Sequence, residues 1–422
     1  MSSRRPRVLL TTFGSLGDLY PYLSIAKTLQ ALGLEPVIGT SAFYRERVAD
    51  LGLEFRAIRP DIPDAESLPQ LMDSLMDANR GTENVIRRVI LPALRESHAD
   101  TFAAAADADL LVSHLLTFST PIVAEQRAIP WVSTVLQPLT FFSVHESVAP
   151  PQAPWLADLP FLGQKFWRAS RSLFSRMATP WFEPIRALRA DLHLPEQTSD
   201  PLFGSYSPLL TLALFSPIFA RPQPDWPVNT VATGFPFMQP SGGPLAPGLE
   251  EFLKQGPPPL IFTLGSSAVM TPGEFFRESI AAAARLGQRA VFLAGPRSLE
   301  LRASLPPGMF ATDYAPHSAL FPRGSIIVHQ GGIGTTAEAL RAGRPTLIVP
   351  FAHDQFDNAH RARKLGVSRT LFRDRYLADR VARELNALQD LDVRFRAATI
   401  GEQIRQEQGA LNAARAIATV VA

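Results

Sequence analysis

The most chemically suggestive residues of this chain lie between positions 314 and 358. Gly332-Ile333-Gly334-Thr335-Thr336-Ala337 forms a turn of small residues, Glu338 follows directly, and Asp354-Gln355 comes after the next apolar run. An apolar stretch (325–328) leads into the turn, a helix-forming run (335–342) leaves it, and a second apolar stretch (346–351) ends at His353-Asp354-Gln355. A strand, a glycine turn and a helix start in that order present unpaired N–H groups and the positive end of a helix dipole. That combination suits a phosphate. The turn also satisfies G-x-G-x-x-A with an acid about twenty residues on, the dinucleotide fingerprint of nicotinamide enzymes. Against that reading, the match sits late in the second half of the chain, and Glu338 falls where a ribose could meet it.

Two further stretches could carry chemistry. In Gly14-Ser15-Leu16-Gly17-Asp18-Leu19-Tyr20-Pro21, an acid stands at a helix start just beyond an apolar run. Asp18 is either a helix cap or first-turn acid, worth about 1 kcal/mol, or a carboxylate at a strand's C-terminal rim that takes a proton from a hydroxyl. In Thr263-Leu264-Gly265-Ser266-Ser267-Ala268, either serine can donate to a phosphate or cap the next segment. No GxxxxGK[ST], HExxH or G-x-S-x-G occurs, and His353-Asp354 is only a dipeptide, so no P-loop, metal or serine-hydrolase site is expected.

Strands and helices alternate around these motifs. Apolar runs at 7–13, 36–40, 54–58, 109–113 and 131–135 read as strands, with helices at 17–32, 44–51 and 118–127 between them. Strands return at 209–214 and 228–232. A second series begins at 260–264 and continues with a helix (275–286), a strand (290–294), a short strand near Met309, and a helical end (384–421). This rhythm predicts an α/β protein of two doubly wound, Rossmann-like domains, with ligands in the cleft facing the strand C-termini. The boundaries expected are 1–237, a Gly/Pro-rich linker at 238–258, 259–400, and a C-terminal helix (401–422) returning to the first domain. Between 138 and 200 the rhythm breaks, and aromatics including Trp155, Phe161, Trp167 and Trp181 alternate with Arg and Lys. Such a stretch is an irregular helical subdomain, a lining for a bulky apolar ligand near a membrane surface, or both.

Composition narrows the classes. With 422 residues, 46% apolar and 19% charged, the chain can bury two large cores. A formal charge of +2 argues against a general nucleic-acid binder. Without cysteine there are no disulfides and no thiolate chemistry. The basic N-terminus breaks into Thr and Gly before it reaches the roughly 7–15 apolar residues of a secretory signal. No window reaches the roughly 20 needed for a membrane span. A cytoplasmic protein is expected.

Taken together, GSLGDLYP, TLGSS and YAPHSALFP…HQGGIGTTAEAL…PFAHDQFDNA resemble the inverting, nucleotide-sugar-dependent glycosyltransferases of family 1, with the GT-B fold. The resemblance is to the bacterial group that includes rhamnolipid, antibiotic and sterol glycosyltransferases, and it spans nearly the whole chain. It implies that Tyr314, with Ala315 and His317, meets the nucleotide base. Gly332, Gly334, Thr335 and Ser266 would hold the diphosphate, Glu338 the ribose, and Asp354 and Gln355 the donor sugar. The family's phosphate-binding histidine falls at Gln330, while a histidine, His329, stands one place earlier as in many His-His relatives. Asp18 aligns with the catalytic base, and Asp109 and His114 are the nearest candidates to orient it. The resemblance further implies a metal-independent transfer without a cofactor. The expected donor is UDP-glucose, with a dTDP-deoxysugar such as dTDP-rhamnose as the alternative. The acceptor is expected to be a hydrophobic phenolic, polyketide or lipid, with peripheral membrane contact possible and the oligomeric state open. A nicotinamide dehydrogenase and a non-catalytic nucleotide-sugar-binding protein are the rival classes.

Overall fold

The computed structural model describes residues 4–61, 68–196, 200, 202–238 and 245–421. Part of the expected linker, 239–244, lies outside the described residues.

Two parallel sheets organise the chain. The first comprises β1 (Arg7–Thr11), β2 (Glu35–Thr40), β3 (Glu54–Ala57), β4 (Leu110–Ser113), β5 (Trp131–Val135), β6 (Thr211–Ala213) and β7 (Thr230–Ala232), in the order β3-β2-β1-β4-β5-β6-β7. The second comprises β8 (Leu260–Thr263), β9 (Ala290–Leu293), β10 (Met309–Thr312), β11 (Ile327–His329), β12 (Thr346–Ile348) and β13 (Ser368–Thr370), in the order β10-β9-β8-β11-β12-β13. Central strands such as Val8-Leu9-Leu10 and Ile261-Phe262 are wholly buried, as parallel strands covered by helices on both faces must be. In each sheet the winding reverses once, between β1 and β4 and between β8 and β11. The crevice beyond the strand C-termini at such a reversal is where doubly wound proteins place ligands.

Five helices frame that crevice: α1 (Leu16–Ala31), α2 (Ile333–Arg341), α3 (Gln355–Lys364), α4 (Leu391–Gln406) and α5 (Gly409–Val421). The α5 residues Ala413, Ala414 and Ile417 are buried with Leu23, Ile25 and Leu29 of α1, so the chain ends on the domain where it began. The helix Pro247–Lys254 buries Leu249 and Leu253 against Ile261, Val291 and Leu293 and thus packs with the second sheet.

Several features depart from the sequence reading, among them α3 (Gln355–Lys364), where no helix was expected. β12 stops at Ile348, short of the expected 351. The Phe351 and Ala352 N–H groups donate instead to Gln355 Oε1, at 2.8 and 3.1 Å, which removes them from the ladder. β13 was not anticipated, because a three-residue polar edge strand carries no periodic signal. Residues between β3 and β4, passed over in the sequence, form helices at Leu68–Leu75, Gly81–Asn84 and Leu94–Ala104.

The aromatic stretch divides its side chains. Phe141, Phe142, Trp167 and Phe182 are buried, whereas Trp155 and Phe161 stand in solvent. Part of the stretch docks on the second domain. Glu146 accepts two hydrogen bonds from Arg361 of α3, at 2.7 and 2.9 Å, and Arg361 also donates to Asp357 at 2.6 Å. Asp357 Oδ1 accepts from the Ala149 N–H, and Asp158 pairs with Arg363. Burial opposes the Arg361 charge, but the two carboxylates more than compensate and hold it above its usual pKa. Without Glu146, Arg361 keeps Asp357 but its two terminal nitrogens lose their acceptor, and buried donors left unmade cost about 1–3 kcal/mol. Glu146→Ala should therefore cost about 2 kcal/mol, read as a lowered urea midpoint, whereas an exposed pair such as Arg277–Glu274 should cost under about 1 kcal/mol when cut.

Candidate active site

The side chains expected to act follow the strands at the two reversals. Asp18 comes after β1 and His114 after β4, whereas Ser266 follows β8 and Gln330 follows β11.

Asp18 is held by its own helix start. The Ser15 N–H and hydroxyl both donate to Asp18 Oδ2, at 2.8 and 3.0 Å, and Ser15 Oγ accepts from the Gly17 N–H at 3.2 Å. Gly14 makes room for this fold-back: its φ is +134°, and a Cβ there would lie 2.3 Å from Oδ2. The second oxygen, Oδ1, lies 3.7 Å from His114 Nε2. His114 is buried, which lowers its pKa against the opposing pull of Asp18, so the ring is neutral. Its Nδ1 accepts from the Leu116 N–H at 3.2 Å. The proton therefore resides on Nε2, which has no other partner and points toward Asp18. Asp109 is placed otherwise: it precedes β4, at the far end of the sheet, where it binds the Arg7 N–H and Arg4. It cannot orient Asp18.

Across the cleft, α2 begins without a capping side chain at Gly332, so its first-turn N–H groups are left for a ligand or water. Gly331 has φ +92°, and a Cβ there would sit 2.7 Å from Ile348 Cγ2, so glycine is required. The Gln330 amide lies between Gly265 and Gly332, and its buried Oε1 has no partner. Its NH2, not its unpartnered Oε1, is the group that can donate to an anion, beside uncapped N–H groups and the exposed Ser266. His329 is fully buried, its Nδ1 accepts from the Gly331 N–H at 3.1 Å, and burial holds its pKa down to about 3. It braces the turn through that bond, and its Nε2 has no partner among the described residues.

The remaining expected contacts line one trough. Tyr314 is half exposed at the mouth, where its hydroxyl bonds Tyr20 of α1, and Ala315 is buried beside it. His317 stacks on Phe321 with ring centroids 4.3 Å apart, and burial lowers its pKa to about 4. Glu338 pairs with Arg341 at 2.7 Å, while burial raises its pKa. The trough narrows where Gly334 meets Gly17, since a Cβ on Gly334 would be 3.4 Å from the Gly17 Cα.

At its inner end, Gln355 has committed its Oε1 to backbone, leaving its NH2 as the group free to donate. Asp354 Oδ2 accepts from Asn358 Nδ2 at 2.6 Å, and the same nitrogen donates to the Gly331 carbonyl at 2.9 Å. His353 was noted in the sequence without a role. Its backbone has φ +57°, its Nδ1 lies 3.1 Å from Thr82 Oγ1, and it hydrogen bonds the Leu75 carbonyl. It thus clasps the first domain. The i,i+4 spacing of Asp354 and Asn358 was visible in the sequence, but the partners of His353 were not.

Comparison with known proteins defines the family. Residues 8–145 match the glycosyltransferase family 28 N-terminal domain, and residues 277–419 match the erythromycin biosynthesis protein CIII-like C-terminal domain. Over 425 residues the chain is 30% identical to O-mycaminosyltylonolide 6-deoxyallosyltransferase of Streptomyces fradiae, covering 96% of each. The chain belongs to the family 1, GT-B glycosyltransferases. It is also 27% identical to a sterol 3-beta-glucosyltransferase of Candida albicans, matching 97% of this chain but 27% of that longer enzyme. Among solved structures, a glycosyltransferase of kitacinnamycin shares the fold with a TM-score of 0.71 at 18% identity, covering 99% of this chain and 100% of that one. VinC in complex with dTDP does so with 0.69 at 21%, covering 98% and 99%. Membership of this glycosyltransferase family sets the nicotinamide reading aside.

Burial pushes the Asp354 carboxyl up to about 7, with Asn358 opposing and the charges of Asp18 and Asp357 adding. Folding thus raises this pKa above the ordinary ~3.9 of an unfolded Asp. The stability it contributes is fully present below the unfolded value and is lost as pH climbs toward 7. Asp354→Asn should accordingly gain stability relative to wild type by at least about 1.4 kcal/mol, one pKa unit, between pH 5 and pH 8. Parallel urea titrations at the two pH values measure the difference.

Proposed function

We propose that this glycosyltransferase moves glucose from UDP-glucose to a hydroxyl of a hydrophobic small-molecule or lipid acceptor, with inversion and with Asp18 as general base. The observation that carries the reading is the free Asp18 Oδ1 at one reversal, facing an uncapped helix start at the other.

In the proposed step the acceptor O–H gives its proton to Asp18 Oδ1 as its oxygen attacks the anomeric carbon. The bond to the nucleoside diphosphate breaks on the opposite side. The leaving charge falls on the α2 N–H groups, Thr335, Ser266 and the Gln330 amide. Gln330 is neutral, so the helix dipole and the backbone donors supply most of the stabilisation. Asp354 and the Gln355 NH2 hold the sugar, Glu338 holds the ribose, and Tyr314 and His317 hold the base. These donors allow the reaction to proceed without a metal ion. A hydrophobic acceptor is supported by half-buried Phe13, Leu116 and Trp181, which pack on one apolar cluster, with the Leu116 N–H bonded to His114.

His114 is the positioning residue for the base. A closing shift of under about 1 Å brings Nε2–H into hydrogen-bond range of Oδ1 and holds that oxygen toward the acceptor. The pair inverts the arrangement of histidine-type relatives: the carboxylate takes the proton and the imidazole orients it.

A second donor, a dTDP-6-deoxyhexose, is favoured by the full-length relative that transfers a 6-deoxyallosyl group. A thermal-shift panel of UDP- and dTDP-sugars separates the two donors, because a nucleotide at about 100 times its Kd adds ~2.7 kcal/mol. Transfer, or hydrolysis of the bound donor, separates an enzyme from a binding protein. Asp18→Asn should lower kcat about 10²–10⁴-fold with donor affinity unchanged. His114→Ala should lower kcat about tenfold without moving the KM for donor, and His114→Asn, which keeps an N–H donor, should recover part of the loss. Asp18→Asn retaining most of the wild-type rate would defeat the assignment.

A further inference from the structure

The outer face of the aromatic stretch has no part in the site described above. Its helix Gln164–Ala178 buries Trp167 and Ala178 and turns the opposite side to solvent. That side is split lengthwise. Ala169, Leu173 and Met177, at four-residue intervals, lie along one flank, and Lys165, Arg168 and Arg176 lie along the other. Leu173 and Met177 are 61% and 64% exposed, and Trp155 and Phe161 just before the helix are 59% and 76% exposed. Four large apolar side chains this exposed on one short segment need a reason.

Charge supplies the second observation. The helix holds Lys165, Arg168, Arg171 and Arg176 and no acid, in a chain whose whole formal charge is +2. Lys165, Arg168 and Arg176 have no ion-pair partner among the described residues. Behind the basic flank lies a cavity of about 480 Å³ that includes Arg168, Arg171, Ser172 and Arg176 in its lining. Two acids also line it: Asp225 pairs with Arg171 at 3.7 Å and accepts from Ser143 and the Val144 N–H, and Asp200 accepts from Ser175 and the Leu202 N–H, which leaves Arg168 and Arg176 as its unpaired cations among the described residues. Exposed apolar groups on one flank and unpaired cations on the other form the pattern of a helix lying in a lipid interface.

We infer that the outer face of Gln164–Ala178, with Trp155 and Phe161, docks on an anionic phospholipid bilayer. The apolar flank enters the acyl boundary while Lys165, Arg168 and Arg176 meet phosphate headgroups. The inference rests on and deepens the reading of a hydrophobic acceptor: the same chain segment continues to Trp181, which packs on the apolar cluster that also takes Phe13 and Leu116, so an acceptor dissolved in the bilayer would meet apolar surface on its way to the cleft.

The test is co-sedimentation of the full chain with phosphatidylcholine vesicles, with and without phosphatidylglycerol. Binding should require phosphatidylglycerol and should fall as salt approaches about 1 M, where the screening length is about 3 Å. Arg168→Glu/Arg176→Glu should lower the partition coefficient about tenfold or more, and Leu173→Glu/Met177→Glu should lower it comparably. UDP- or dTDP-induced thermal stabilisation, unchanged in both variants, shows that the fold is intact. No binding to phosphatidylglycerol vesicles, equal binding to both compositions, or undiminished binding by both variants would overturn the proposal. Sedimentation requires no turnover, so failure of the glycosyl-transfer reading leaves this outcome readable.

Discussion

Two helices that point their N-termini at one another govern this structure. A Cβ placed on Gly334 of α2 would reach the Gly17 Cα of α1 at 3.4 Å, so the two helix starts approach closely across the cleft. Each helix start carries about half a positive charge, so the pair is unfavourable unless anions lie between them. Asp18 supplies one, bound into its own helix by Ser15. On the proposed reading, the donor diphosphate supplies the other. A methyl on Gly334 would just meet the Gly17 Cα, at 3.4 Å, so a larger side chain there would crowd the first helix.

Much of this was legible because parallel sheets write themselves plainly. Strands buried on both faces are near-continuous apolar runs, and the residues that follow them are ligand-facing by geometry. Position relative to those runs would also have decided between Asp109 and His114. The first precedes an apolar run and the second follows it, and only the end of a strand reaches the cleft. The choice between cap and base at Asp18 was posed as exclusive, yet a carboxylate has two oxygens. Oδ2 caps the helix and Oδ1 is left for chemistry. A motif gives the order of residues without their depth, so the full burial of His329, the last residue of β11, was not legible in it.

What the sequence withheld is long-range pairing. Glu146 and Arg361 are far apart in the chain and carry no shared pattern, yet they fasten the irregular stretch of the first domain to the helix that starts at Asp354-Gln355. Met72 and Met76, from a region with no clear periodicity, pack against the core of the second domain. The irregular segments are thus the ones that span the cleft, while the regular ones build its two walls.

The clasp at His353 sets the two ends of the trough apart. At one end Tyr314 stands half in solvent, and at the other a half-buried imidazole on a strained backbone holds Thr82 and the Leu75 carbonyl. On the proposed reading, the base is gripped at the open end with the domains as they stand, and the sugar reaches its place by parting the clasp. Capture of the nucleotide at the surface and admission of the sugar on separation of the domains are then two distinct events.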